Sequence, residues 1–344
     1  MKKTLAPALL LVVGLTACSA PATTDTATIS VTNCGEQVQF PSPAQRLFVN
    51  DGNMVSMALA LGAQDSVAAV SSVQRDSETL RRHYGDAVDA LNSVAPEYPS
   101  RETVLAQNPD VMVAGWNYGY SEEKNLTPAS LEQDGIAPYT LTESCRQRDG
   151  EQARGVVAPW DALRTDLTNL GTITGRTEDA TEVVDDLDTR LDALSAAPKA
   201  ERPPVIFLFD SASDTVFSSG KFGAPQAIID AAGGVNALAD LDDTWTAVSW
   251  ERVAAANPDA FLFVDYPPQS FQEKVALLDA RPGISQIPAV VDRRFLNLPY
   301  ALWTSGPLNI DAAEQVRKQL ETWGLVPPSD VTATFDDSVG VDGQ

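Results

Sequence analysis

Short apolar runs alternate with amphipathic stretches along most of the chain, and the clearest join between the two lies at residues 100–114, SRETVLAQNPDVMVA. A helix-period segment stops there at Asn108-Pro109-Asp110 and passes directly into an apolar run, 111–114, with the character of a buried strand. Pro109 cannot continue a helix and biases Asn108 out of the α region, so the stop is sharp. Ser100 is placed to cap the helix, and Glu102 falls in the first turn, near the positive end of the dipole. The same pattern returns at residues 249–264, SWERVAAANPDAFLFV. Ser100, Glu102, Val104, Ala106, Asn108, Pro109 and Asp110 are answered by Ser249, Glu251, Val253, Ala255, Asn257, Pro258 and Asp259, at a constant offset of 149 residues. A helix-turn-strand unit repeated in register implies two similar halves.

The pattern around each copy is that of an α/β unit. In the first half, strands are expected at 28–32 and 37–40, closing a hairpin about Asn33-Cys34-Gly35, and again at 46–49, 67–70 and 139–141. Helices fall at 54–61, 80–84 and 126–133. Strand character then disappears. Residues 161–170 and 178–194 keep helical period, with Val183, Val184, Leu187, Leu191 and Leu194 on one face and acidic residues on the other. A second α/β run follows: a strand at 205–209, a helix at 224–232 closed by Gly233-Gly234, a helix at 271–278, a strand at 295–298 and an amphipathic helix at 310–323. The expected organisation is an N-terminal α/β lobe (28–158), a helical bridge (159–202) and a C-terminal α/β lobe (203–326), each sheet largely parallel. Trp160 and Trp323, on helices, are assigned to core. Residues 327–344, polar and acidic, are expected to be disordered.

The N-terminus changes the picture of where this protein works. Lys2 and Lys3 precede a short apolar run, 5–15, too short for a membrane span and right for a secretory signal, 1–17. Leu15-Thr16-Ala17-Cys18 resembles the lipobox of bacterial lipoproteins, so Cys18 is expected to carry lipid and 18–27 to act as a flexible tether. Of the three cysteines, Cys34 and Cys145 then remain, an even pair in an exported chain, and a disulfide between them is expected. The net charge of −23 argues against nucleic-acid binding.

Two lobes, a helical bridge and a lipoprotein signal, with a Glu-x-x-x-x-x-x-Pro-Asp unit in each lobe, resemble the helical-backbone (class III) solute-binding proteins of ABC transporters. That class has two Rossmann-like lobes and carries ferric siderophores, haem, cobalamin and related ligands. Asn33-Cys34-Gly35, Glu97-Tyr98-Pro99-Ser100-Arg101-Glu102, Ser144-Cys145, Gly233-Gly234, Trp245 and Val248-Ser249-Trp250-Glu251 look most like its actinobacterial lipoprotein branch. The resemblance implies a monomer, anchored at the outer face of the cell membrane. Its partners would be an ABC permease dimer with a cytoplasmic ATPase. Glu102 and Glu251 would each meet permease arginines, beyond any role as first-turn acids. The ligand cleft would lie between the lobes, at the carboxyl ends of the strands. Candidate contacts are Asn53, Trp116, Tyr118, Tyr120 and Arg148 from the first lobe. The second lobe offers Lys221, Phe222, Trp245, Tyr266, Tyr300 and Trp303. Aromatics with a few cations suit a large, partly apolar, anionic ligand such as an Fe(III) chelate.

Other functions fit less well. A zinc- or manganese-binding relative needs clustered histidines, and His83 stands alone, so no resident metal or cofactor is expected. A hydrolase needs a nucleophile with a base; there is no Gly-x-Ser-x-Gly and no second histidine, so the chain is not read as an enzyme. A ferric siderophore leads among ligands, with cobalamin, haem or a deazaflavin-type precursor as alternatives. A cell-surface interaction lipoprotein without a transport role is the competing class.

Overall fold

The computed structural model describes residues 27–148 and 150–340. The signal, Cys18 and nearly all of the tether fall outside them. The first lobe opens with an antiparallel hairpin, β1 (Thr28–Asn33) and β2 (Glu36–Pro41). It continues with β3 (Leu47–Asn50), β4 (Val67–Ser71), β5 (Ser93–Ala95), β6 (Val111–Trp116), the two-residue β7 (Gly119–Tyr120) and β8 (Ala137–Thr140). These form a parallel sheet in the order β5-β4-β3-β6-β8, with β7 added at the end of β6. Helices α1 (Gly52–Ala60), α2 (Ser77–Tyr84), α3 (Arg101–Ala106) and α4 (Pro128–Gln133) lie between them. Two helices, α5 (Pro159–Thr174) and α6 (Thr177–Ala196), then lead to the second lobe.

That lobe has a parallel sheet, β12-β9-β14-β15, from β9 (Val205–Phe209), β12 (Val235–Asn236), β14 (Ala260–Asp265) and β15 (Phe295–Pro299). Beside it an antiparallel sheet joins β10 (Ser211–Ala212), β11 (Val216–Ser219) and β13 (Trp245–Val248). Helices α7 (Ala224–Ala231), α8 (Trp250–Ala256), α9 (Phe271–Ala280), α10 (Pro288–Val291) and α11 (Asn309–Thr322) complete it. Alternation along the central strands divides each core. Leu47, Val49, Val111 and Val113 join the main cluster, whereas Phe48, Met112 and Ala114 pack with Leu126 and Leu131 beneath α4. Likewise Ile206, Leu208 and Leu262 face the main cluster, and Phe207, Phe209, Phe261 and Phe263 fill a second one. Trp160 and Trp323 are partly buried against the main cluster.

The repeated unit has a physical cause. Asn108 and Asn257 both adopt positive φ, 48° and 41°, a conformation asparagine tolerates better than most residues. The aspartate that follows clips the neighbouring parallel strand. Asp110 accepts the Gln45 and Arg46 amides at 2.9 and 3.1 Å, at the start of β3. Asp259 accepts the Val205 amide at 2.8 Å, at the start of β9. Each unit therefore ends one helix, starts one strand and sets the register of its neighbour.

Cys34 and Cys145 are disulfide-bonded, with Cα atoms 5.4 Å apart, which ties the opening hairpin to the crossover between lobes. The tail corrects an expectation: residues 327–340 are ordered against the body. Asp337 is fully buried and meets Arg82 Nη1 at 2.9 Å, His83 Nε2 at 3.1 Å and Gln315 Nε2 at 3.0 Å. Val339 exchanges two hydrogen bonds with Asn297. Composition misled here because polar pairing, rather than an apolar stripe, pins the segment.

Candidate ligand-binding cleft

The carboxyl ends of the strands in both lobes converge on one cavity of about 220 Å³. From the first lobe it takes Tyr98, before α3, and Asn117 and Tyr118, in the turn after β6. Arg154 enters from the crossover. The second lobe supplies Asp210 after β9, Phe217 from β11, Trp245 from β13, Tyr266 after β14 and Tyr300 after β15. The aromatic walls are coupled: Phe217 stacks on Trp245 at 6.1 Å between centroids, and Tyr266 meets Tyr300 at 4.8 Å. A second cavity of about 350 Å³ shares Tyr98 and Tyr266 with the first and adds Ser72, Arg75, Glu97 and Lys124. The two, chamber and vestibule, lie side by side at these shared tyrosines.

Charge at the base of the cleft is closely matched. Asp51 stands at the β3–α1 junction with φ 71°, a rare conformation for a non-glycine residue. Four donors meet it: Arg75 Nη2 at 2.6 Å, Tyr98 Oη at 3.0 Å, Tyr300 Oη at 3.3 Å and the Gly52 amide at 3.2 Å. The Arg75 guanidinium lies 5.0 and 4.8 Å from the ring centres of Tyr266 and Tyr300. Beside this pair Asp76 is buried, and neither of its oxygens meets a hydrogen-bond donor in good geometry among the described residues. Burial, then the Asp51 charge, push Asp76 up to about 8. Burial raises Asp51 too, but its four donors make it the member that keeps the charge.

Arg154 donates to the Trp116 and Trp245 carbonyls, both at 3.3 Å. Its counter-charge is Glu143, which burial pushes up to about 7 against the pull of Arg154. Asp210, like Asp76, stands without a donor among the described residues, but unlike Asp76 it lines the chamber, where it is 6% exposed. Burial pushes it up to about 6, opposed by Lys274. The Lys274 ammonium is itself committed to the Val264 and Tyr266 carbonyls, at 2.6 and 3.2 Å.

The two repeat glutamates show matching local geometry away from the chamber. Ser100 and Ser249 cap α3 and α8 by accepting the Thr103 and Arg252 amides, and Glu102 and Glu251 stand exposed in the first turns. Each carboxylate is held below the usual range by its own backbone amide and then by the capping serine.

A family model described as periplasmic binding protein matches residues 50–302, from the end of β3 to the segment after β15. The chain belongs to the periplasmic binding protein family. Solved structures agree on the fold. The chain is similar to a periplasmic binding protein from Veillonella parvula DSM 2008, at 22% identity and TM-score 0.71, over 86% of this chain and 98% of that one. It is similar to an ABC-type Fe3+-hydroxamate transport system protein from Saccharomonospora viridis DSM 43017, at 22% identity and TM-score 0.69, over 85% and 98%. It is also similar to a periplasmic heme binding protein from Pseudomonas aeruginosa, at 23% identity and TM-score 0.63, over 86% and 99%. No curated protein sequence matches it. At these identities the likeness speaks for the fold, two α/β lobes in the helical-backbone arrangement.

Within this periplasmic binding protein, the expected contact residues divide. Tyr118, Trp245, Tyr266 and Tyr300 line the chamber. Tyr120 and Trp303 are buried elsewhere. Tyr120 Oη donates to the Met112 and Tyr139 carbonyls, and Trp303 Nε1 to the Phe263 carbonyl. Asn53 is also fully buried, donating to the Ser305 carbonyl across the lobes at 2.8 Å. Trp116 lies outside the lining, with the Arg146 guanidinium 3.6 Å from its ring centre. Arg148 is exposed and paired with Glu151. Lys221 pairs with Asp242, and Phe222 packs where the crossover passes it at Gly155, which has φ 90° and no room for a Cβ. The expected cations are thus absent from the chamber. Arg154 and Asp210, which the sequence reading passed over, take polar positions there, with Arg75 in the neighbouring cavity and Asp51 buried behind it.

Proposed function

We propose that this chain is the extracytoplasmic solute-binding subunit of an ABC importer, holding a ferric siderophore or a similarly large chelate between its lobes and delivering it to the permease. One observation carries the reading: six aromatic side chains from both lobes converge on a single chamber at the strand ends, beside a second cavity that shares Tyr98 and Tyr266 with it. Rings of this kind supply apolar area and cation–π contact while the few polar groups fix orientation. A chelate too large for the chamber alone fits a site with a vestibule beside it. The solved relative from Saccharomonospora viridis, an Fe3+-hydroxamate transport protein by description, supports the ligand class. Cys18 is proposed as the lipid anchor, and Glu102 and Glu251 as the acids presented to the two permease subunits.

Native mass spectrometry of the mature domain tests the ligand. It is offered ferric trihydroxamates, haem, cobalamin and a deazaflavin precursor in turn. Retention of a ferric chelate, with quenched tryptophan fluorescence, is the expected result. Retention of haem or cobalamin instead would replace the siderophore assignment while keeping import. Binding of none of the four would favour a surface lipoprotein without a transport role. Fractionation of cells carrying Cys18→Ala tests the anchor; unchanged membrane retention would remove it.

A further inference from the structure

We infer that the chamber takes a cationic side arm of the ligand, an alkylammonium group seated on Asp210 within the aromatic walls. The inference rests on the import reading and deepens it. Arg75 has Asp51 at 2.6 Å, and Arg154 donates to two carbonyls; Asp76 and Glu143, which also keep oxygens without a donor among the described residues, lie outside the chamber lining. The Lys274 ammonium, the one basic group acting on Asp210, gives two of its three hydrogen bonds to the Val264 and Tyr266 carbonyls and makes none to Asp210 among the described residues. Asp210 alone has a side chain more than nine-tenths buried, facing the chamber, with no donor among the described residues. A buried carboxylate without a donor is costly unless something bound supplies one. The surrounding rings, Tyr118, Phe217, Trp245, Tyr266 and Tyr300 among them, form an aromatic lining that already holds guanidinium groups, Arg154 5.6 Å from Tyr118 and Arg75 beside Tyr266 and Tyr300, and linings of this kind attract organic cations. Anions have the opposite problem. Arg75 is already paired with Asp51, and a second negative charge near Arg154 would face Asp210. Size agrees as well. The chamber of about 220 Å³ suits an arm, and the adjoining vestibule of about 350 Å³ suits the body of a chelate.

The test uses the intact mature protein and three ferric trihydroxamates that share one chelating core. Their side arms end in a free ammonium, its neutral acetamide and its anionic succinamate. Titration calorimetry should show the ammonium form binding at least about tenfold tighter than the acetamide, and the succinamate weakest. In Asp210→Asn, an isosteric change, the ammonium form should fall to the affinity of the acetamide, which itself shifts by less than about threefold. Equal binding of all three forms, or preference for the anion, would overturn the inference and leave the import reading standing. The same holds if the preference survives in Asp210→Asn. Failure of all three to bind would overturn the siderophore assignment and the inference with it. The series on the unsubstituted protein decides the question even if the variant does not fold.

Discussion

Asp51→Asn removes one charge from the buried group that ties the lobes together at the base of the cleft. The asparagine keeps the shape and can still meet Tyr98 and Tyr300, but it breaks the charge-assisted bond with Arg75, Nη2 to Oδ1 at 2.6 Å. Such bonds contribute about 1.5–3 kcal/mol. Stranding a buried arginine entirely would cost about 3–5 kcal/mol. The smaller figure applies because a reserve carboxylate is present: Asp76 Oδ2 lies 3.8 Å from Arg75 Nε. Asp76 holds its proton partly because Asp51 is charged. Burial still raises Asp76, but with the Asp51 charge gone its carboxyl shifts down and can share in balancing Arg75.

The pH dependence separates this account from simple damage. In the unsubstituted protein Asp76 moves from its ordinary 3.8 in the unfolded chain to about 8 in the folded one. A carboxyl raised on folding contributes stability that is complete below the unfolded value and is lost as pH rises through the folded value. Stability should therefore decline as pH rises from about 4 to 8, with the steepest contribution of Asp76 vanishing near the top of that range. In Asp51→Asn the folded value of Asp76 falls, so the variant should lose about 1.5–3 kcal/mol at neutral pH and show a flatter profile above it. Urea unfolding followed by tryptophan fluorescence across this range reads both quantities. Parallel profiles for the two proteins, or a loss well beyond about 5 kcal/mol, would refute the shared-proton account.

Four further outcomes are expected. Replacing Cys34 and Cys145 by serine should cost about 4–5 kcal/mol in the chain-entropy picture, since the bond closes a separation of 111 residues; unchanged denaturation midpoints with and without reductant would contradict this. Ending the chain after Val326 leaves Arg82, His83 and Gln315 without Asp337 and should lower the melting temperature; an unaltered melt would mean the tail contributes nothing. Trp245→Ala and Tyr266→Ala should each weaken chelate binding by about tenfold or more and reduce fluorescence quenching; wild-type affinity in both would place the ligand elsewhere. Glu102→Arg combined with Glu251→Arg should abolish uptake in cells with ligand affinity and melting temperature unchanged, whereas normal uptake would leave the two as helix-terminal acids alone.

Much of the fold was legible because its signals are local. Asn108-Pro109-Asp110 and its second copy act on the backbone directly, through a positive φ, a missing amide and a strand clip. The chamber was less legible because its geometry depends on breaks in local pattern. Tyr118 and Tyr120 lie two residues apart and would share a face in a regular strand. Asn117 at φ 64° and Gly119 at φ 113° break the alternation, so Tyr118 reaches the chamber and Tyr120 turns into the core beneath α4. Arg75 and Arg154 carry no sequence mark that separates them from surface arginines; only convergence of the strand ends buries Arg154 and partly covers Arg75. A usable signal did exist for the acids. Asp51 and Asp210 each directly follow an apolar strand, Leu47–Asn50 and Val205–Phe209, at the end where α/β sheets bind ligands.

Opening the cleft by a wide swing would have to break contacts that cross between the lobes at its base. Asn53 donates to the Ser305 carbonyl at 2.8 Å, and Tyr300 to Asp51 at 3.3 Å. Gln147 donates to the Asp242 carbonyl at 2.8 Å, and the Arg154 amide to Asp243 at 3.2 Å. Gly306 packs so closely on α1 that a Cβ there would lie 3.2 Å from the Asn53 carbonyl. The Asn53 and Tyr300 bonds are buried, and each buried polar group left unmet costs about 1–3 kcal/mol. Together with two helices between the lobes, these contacts favour a nearly fixed frame in which binding adjusts side chains at the chamber. A frame that changes little cannot report its load by a large change of shape. On the proposed import role, recognition by a membrane partner would rest on fixed surface features, and the repeat places one candidate on each lobe, an exposed glutamate at a serine-capped helix end.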